Sequence, residues 1–303
     1  MKQLLRNILE RSDFGIFLLR MWRAWKLQKM GSAQPSAELA QQAEELLARA
    51  NANIMEIPIQ DGVLLLQYNN TVTHMRGGTF FTKEPETLAW IDAIPKDSVL
   101  WDIGANIGIY SLYAAKTRDC TVFAFEPSIF NLELLGRNIF INKLHDKIHI
   151  IPVALSATDA MSTFTMGNTA YGGALSAFGV DFGYDGKPIP VAFQYSMLGL
   201  TGDTLMTLAN MELPDYIKID VDGIEHYILQ GMQNVLRHEN VKSVLVEGND
   251  DFFEQAEQIR KIMHACGYHL AAKEHSAMFD NSAKFSCIYN QTWNKSRMPL
   301  KSE

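Results

Sequence analysis

Residues 98–111 read SVLWDIGANIGIYS. A short apolar run reaches an acid, Asp102, and then Gly104, Asn106 and Gly108 precede a change to helical spacing. An apolar run bounded in this way reads as a buried strand with a tight turn at its exit. Gly104 lets the backbone turn without a Cβ clash, and Gly108 lets the next helix pack closely. Asn106 suits the middle position because Asn enters the left-handed region more readily than most residues. A turn of this kind aims a helix N-terminus and its free N–H groups at a ligand with negative charge.

The pattern continues on both sides. TVFAFEP (121–127) reads as a strand followed by the helix IFNLELLGRNIFINKL (129–144), and IHIIPVALS (148–156) as a third strand. A stretch containing Gly, Ser and Asn, 167–187, is expected to be a loop or lid. VAFQYSML (191–198) follows as a strand, with a short helix near 203–210. DYIKIDVDG (215–223) and VKSVLVEG (241–248) are strands, each leading into a helix. YHLAAKEH (268–275) and FSCIYNQ (285–291) have no helix between them and are expected to pair as a hairpin. Apolar strands alternating with crossover helices predict an α/β fold, a parallel sheet covered on both faces.

Composition bounds the function. The chain has 303 residues, 47% hydrophobic and 20% charged, with a net charge of −7. That is globular composition, and an acidic balance argues against a dedicated nucleic-acid binder. Cys120, Cys266 and Cys287 are scattered without CxxC spacing, which predicts thiols in a reducing compartment rather than a zinc site. No apolar stretch is long enough to span a membrane and no signal peptide is evident, so a cytoplasmic protein is expected.

Three segments are expected: a helical, basic extension over 1–53, lead-in strands and a helix over 54–97, and the main domain over 98–303. Residues 1–30 carry seven basic and two acidic side chains among many apolar ones. Such a segment could lie peripherally on an anionic membrane or pack on its own domain or a second subunit. In the lead-in, IMEIPI (54–59) and VLLLQYNN (63–70) read as strands, Arg76-Gly77-Gly78 as a turn, and EPETLAWIDAI (84–94) as a helix. Trp90 and Trp101 fall at apolar phase and are assigned to the core.

Ligands of open α/β sheets sit beyond the carboxyl ends of the strands. A nicotinamide fingerprint would need Gly at 104, 106 and 109, but the chain has Asn106 and Ile109. Asp-x-Gly-x-Asn-x-Gly is instead similar, with one substitution, to the loop of S-adenosylmethionine enzymes. Glu126, at the end of the second strand, stands where nucleotide-type folds place an acid against ribose hydroxyls. Ser128 is the better N-cap for the next helix, which leaves Glu126 for that role.

WDIGANIGIYSLYAA, FEPS, VALS and above all IKIDVDGIEHYILQGM (217–232) together resemble the FkbM family of S-adenosylmethionine-dependent methyltransferases. The resemblance runs from about Glu84 to the end. It implies a class I, Rossmann-like methyltransferase fold of seven strands, the last antiparallel, and methyl transfer to a hydroxyl of a sugar, glycan or secondary metabolite. It implies that Asp102, Gly104, Asn106 and Gly108 hold the cofactor, that Glu126 takes its ribose, and that Ser156 lies near its adenine.

A sugar hydroxyl is a weak nucleophile, so a base or metal must draw off its proton. Asp220, Asp222 and Glu247 are the candidates for that work, at strand exits. Asp220 and Asp222 could act as base or share a Mg²⁺ ion. Alternatively Asp220 orders the loop, Asp222 caps the next helix with Glu225, and Glu247 pairs with Lys218. His226 is expected to face solvent or the sheet edge. The segments around Arg76 and around Tyr171-Gly172-Gly173 could fold over the site as lids or remain exposed turns. A scaffold subunit that keeps the fold without turnover is the rival reading, and the paired acids favour the enzyme.

Overall fold

The computed structural model describes residues 53–60, 62–208, 211–280, 282 and 284–295. The basic extension expected over 1–53 lies, apart from Asn53, outside them. The lead-in forms an antiparallel hairpin, β1 (Ile54–Ile59) and β2 (Gly62–Gln67), then helices α1 (Thr71–Gly78), α2 (Phe80–Lys83) and α3 (Pro85–Asp92). The expected turn at Arg76-Gly77-Gly78 is instead the last turn of α1. Asn70 caps that helix by accepting from Thr73 N, and Gly77 lies against Met55 and Leu66, where no side chain would fit.

The main domain alternates as its periodicity predicts. β3 (Val99–Ile103) leads to α4 (Ile109–Arg118), β4 (Thr121–Phe125) to α5 (Ile129–Asn142), and β5 (Ile148–Ile151) follows. After it come β6 (Ala154–Leu155), β7 (Ala160–Met166), β8 (Ser176–Phe178), β9 (Phe193–Leu200) and α6 (Gly202–Thr207). β10 (Tyr216–Ile219) precedes α7 (Glu225–Gln230) and α8 (Gln233–Arg237). β11 (Ser243–Asn249), α9 (Phe253–Ala265), β12 (Tyr268–Glu274) and β13 (Ile288–Lys295) complete the order.

Seven strands make one sheet in the order β12-β13-β11-β10-β3-β4-β5. β3, β4, β5, β10 and β11 are parallel, and β13 runs antiparallel to both β11 and β12. This is the class I methyltransferase arrangement, with the switch in strand order between β3 and β10. The expected strand 191–198 is real, but it is not in this sheet. It is β9, which pairs with β6, β7 and β8 in a separate four-stranded sheet. Its largely exposed side chains mark a strand with one wet face, unlike the buried strands of the parallel sheet.

Strand alternation divides the core in two. Trp101, Ile103, Phe125, Ile217, Ile219 and Val246 face one cluster, shared with the second sheet and with α7 and α9. Leu100, Val122, Ala124 and Leu245 face the other, shared with the lead-in, α4 and α5. Trp90 and Trp101 are both buried. Asp102 and Lys218 fall on the lead-in face, so the lead-in roofs the polar end of that layer.

Gly104, just beyond β3, has φ +86°, and a Cβ there would stand 1.8 Å from the Asp220 carbonyl oxygen. The exits of β3 and β10 thus touch backbone to backbone. Gly104→Ala should therefore lower stability by about 2–5 kcal/mol, from left-handed strain plus overpacking. Thermal melts check this, with a fall in Tm of several degrees expected.

Candidate functional site

Glu126 follows β4, and its carboxylate is buried. Oε2 accepts from Asn106 N at 2.7 Å, and Oε1 accepts from Ser128 N at 2.8 Å and from Asn131 Nδ2 at 3.5 Å. Burial pushes the carboxyl up to about 7, although all three donors pull the other way. Ser128 caps α5 by accepting from Asn131 N at 3.4 Å. Asn106 is left-handed at φ +53°, as its residue type allows. Gly108 is left-handed too, and a Cβ there would meet Leu135 of α5 rather than the preceding strand.

Residues 170–175 form a strap across this turn. Asn106 Nδ2 and Asn131 Nδ2 both donate to Gly173 O, at 2.8 and 3.1 Å, and Gly172 N donates to Asn131 Oδ1 at 2.9 Å. From the lead-in, Arg76 Nε donates to Gly172 O at 2.8 Å and Asn70 Nδ2 to Tyr171 O at 3.0 Å. Leu175 N donates to Asp222 Oδ2 at 2.6 Å. Leu175 and Asp222 both hold positive φ, 62° and 64°, which costs a non-glycine residue about 1–2 kcal/mol each. The two segments read as lids are therefore one clamp, with α1 fastened to the strap.

The acids at the exit of β10 differ in state. Asp220 Oδ2 pairs with the buried Lys218 ammonium at 2.8 Å. Burial opposes its charge, but Lys218 and then Lys83 outweigh burial and hold it below the usual carboxylate range. Asp222 is pushed up to about 6, by burial first and then by the like charge of Asp220. Glu247 is pushed well above its usual value by burial and then by the like charge of Asp220. It makes no ion pair with Lys218, whose partner is Asp220.

Glu225 does not form a cap with Asp222. Its carboxylate accepts from Val221 N, Gly223 N and Gln255 Nε2, bracing the loop from below, and burial raises it to about 7. Glu84, at the start of α3, is buried beside Lys83 and is held below its usual value by that ammonium, against the effect of burial.

His226 is buried, not at the surface or sheet edge. Among the described residues neither ring nitrogen has a hydrogen-bond partner, its ring lies 4.0 Å from that of Tyr227, and burial lowers it to about 4, leaving it neutral.

A cleft with about 580 Å³ of empty space, part of it open to solvent, lies over these strand ends. Gly104, Asn106, Glu126, Asp220 and Asp222 line it. Ser128, Asn131, Gly173 and Ser176 supply further polar wall, and Phe125, Leu155, Phe178 and Ile228 supply apolar wall. Asp102, Gly108, Ser156 and Glu247 are not on that wall. Asp102 lies beneath it, with Oδ2 taking the Ser111 hydroxyl and Oδ1 buried without a donor. The Ser156 backbone N–H donates to Leu200 O at 2.9 Å.

An apolar slot with a carboxylate at one end and acids at the other suits a nucleoside joined to a charged tail. Lys218 Nζ and Leu175 N each take Oδ2 of Asp220 and Asp222 respectively, and among the described residues no three His, Cys, Asp or Glu side chains group as a metal site. No helix among them is long and apolar enough to cross a membrane.

Asn131 was not anticipated from sequence. Its position one turn into α5, three residues after the cap, gave no signal of a role in the strap.

Residues 102–270 match the family model for the methyltransferase FkbM domain. The hexuronic acid methyltransferase AglP of Haloferax volcanii is 26% identical over 157 residues, 52% of this chain and 58% of that protein. Methyltransferase FkbM from Methylobacillus flagellatus superposes with a TM-score of 0.45 at 13% identity, over 66% of this chain and 44% of that one. Precorrin-6y C5,15-methyltransferase from Geobacter metallireducens superposes with a TM-score of 0.42 at 14% identity, over 70% and 87%.

Lys218 is the register partner of Asp102 and the ion-pair partner of Asp220. Lys218→Met should leave both acids short of compensation and cost about 3–5 kcal/mol at pH 8. Without the ammonium, the folded pKa of each acid rises above its unfolded value, so the deficit should shrink as pH falls toward 5. Urea melts at the two pH values check the sign.

Proposed function

The chain belongs to the FkbM methyltransferase family, and on that premise we propose that it transfers the methyl group of S-adenosylmethionine to a hydroxyl of a sugar or glycan. The observation that carries this reading is the buried Glu126 carboxylate on the wall of the same cleft as Asp220 and Asp222. When bound, the cofactor supplies an electrophilic methyl on sulfur. The chain's own task is then to align, desolvate and deprotonate.

Glu126 would take the ribose through Oε2, which accepts only from Asn106 N and keeps a lone pair, while Oε1 would share its weak 3.5 Å contact with Asn131 Nδ2. The Gly104–Asn106 turn would carry the charged tail, and the apolar wall the adenine ring. Asp222 Oδ1 would draw the proton from the acceptor hydroxyl, because a carboxyl near 6 is ionised yet still basic at neutral pH. Asp220, tied to Lys218 and fully charged, is the poorer base and would fix the local field. Burial favours the protonated form of Glu247, which would hold a proton rather than take one. A relative named for a hexuronic acid supports a sugar as the class of acceptor.

Isothermal calorimetry with S-adenosylhomocysteine tests the cofactor site. The wild-type protein should bind it, and Glu126→Ala should weaken binding by about ten- to hundredfold, the worth of charge-assisted hydrogen bonds to two hydroxyls. The affinity should also drop as pH falls below 7, because binding the diol requires the ionised carboxylate. Absence of binding, or a Glu126→Ala variant that binds as tightly, would refute the reading. For turnover, kcat/KM should rise through about pH 6 as Asp222 ionises, and Asp222→Asn should lose that limb together with most of the rate.

A further inference from the structure

The lead-in contributes two cations and an acid, Arg76, Lys83 and Glu84, whose charges act on Asp220 at the exit of β10. Lys83 is paired with Glu84, and Lys218, from β10, is paired with Asp220. Arg76 differs from both lysines. Its Nε donates to Gly172 O at 2.8 Å, and among the described residues no carboxylate lies within ion-pair reach of its guanidinium. The side chain is half-buried and flanked by Gly172, where an added Cβ would stand 3.4 Å from Nε. The carbonyl contact fixes the plane of the fork and leaves both terminal nitrogens to donate. Such a fork is pre-organised for a carboxylate or phosphate, which it grips with two parallel bonds.

Two of the surrounding acids are matched by cations. Asp220 and Glu84 are neutralised by their lysines, Glu225 is consumed by Val221 N, Gly223 N and Gln255, and Asp222 Oδ2 takes Leu175 N. Burial shifts Glu247 toward its protonated form. Arg76 is the cation of this cluster without a carboxylate partner among the described residues. Arg76 also stands outside the residues 102–270 matched by the family model, so its role belongs to the lead-in of this chain.

The geometry points to Arg76 as the residue that recognises an anionic group, carboxylate or phosphate, on the sugar acceptor, with the strap's Gly172 carbonyl aiming its fork. This rests on the methyl-transfer reading above, because it requires an acceptor to enter beside a bound nucleoside. An anionic acceptor would then bind by its charge at Arg76 while a neighbouring hydroxyl meets Asp222.

The test is calorimetry on the full chain saturated with S-adenosylhomocysteine, titrated with D-glucuronate, D-glucose 6-phosphate and D-glucose. At least one of the two anionic sugars should bind more tightly than glucose by about tenfold or more, the worth of a bidentate charged contact. Which of them does so distinguishes carboxylate from phosphate. Arg76→Gln should abolish the preference, and Arg76→Lys should restore part of it, with the ratio of S-adenosylhomocysteine to methylthioadenosine affinity unchanged in both. A wild-type protein that binds the nucleoside but shows no preference for either anion would overturn the inference and leave methyl transfer standing. So would a preference that survives Arg76→Gln. A third arm compares S-adenosylhomocysteine with methylthioadenosine, which lacks the amino-acid tail. If Arg76→Gln weakens only the former, the arginine serves the cofactor's carboxylate, and the inference also fails.

Discussion

One buried carboxylate joins the parts of this site. Glu126 accepts from the backbone of the β3 exit at Asn106 and from the start of α5 at Ser128. Burial makes its charge expensive, and that expense is offset only by donors that hold the turn and the helix N-terminus in fixed relation. Asn106 and Asn131, which flank it, both hold Gly173 O with their amides. The strap is therefore positioned by the residues that position the carboxylate. A ligand that engages Glu126 meets a cleft whose wall has already been built around it.

The far side of the cleft works on a different principle. There the acids are separated by environment: Lys218 holds Asp220 toward its charged form, burial and Asp220 push Glu247 toward its neutral form, and Asp222 lies between. Asp222 and Leu175 both sit in left-handed backbone and are bonded to each other, so local strain is concentrated where the strap meets the acids. The lead-in takes part in this side through Lys83, Glu84 and Arg76, and is more than a spacer before the sheet.

Much of the fold was legible in the sequence, because buried parallel strands announce themselves as apolar runs and their helices by spacing. The turn after β3, the cap at Ser128 and the terminal hairpin follow from residue types that act locally. The second sheet was not legible. β7 has no clear apolar run, and β9 resembles the main-sheet strands in composition while pairing elsewhere. Glu126, Asp220 and Asp222, which line one cleft, could be named as candidates because strand exits collect functional groups. Their protonation states could not be named, since those depend on Lys218, Lys83 and burial. The clamp between α1 and the strap joins residues about a hundred positions apart, and the hydrogen bonds of Arg76 and Asn131 leave no trace in local pattern. His226 was misplaced for a related reason, since a histidine without partners gives no sequence sign that it is buried.

The most direct measurement is a crystal structure of the full chain with S-adenosylhomocysteine. The account predicts ribose hydroxyls on the Glu126 carboxylate, adenine against the apolar wall, and the sulfur turned toward Asp222. A nucleoside bound away from Glu126, or a sulfur facing away from the acids of β10, would contradict it.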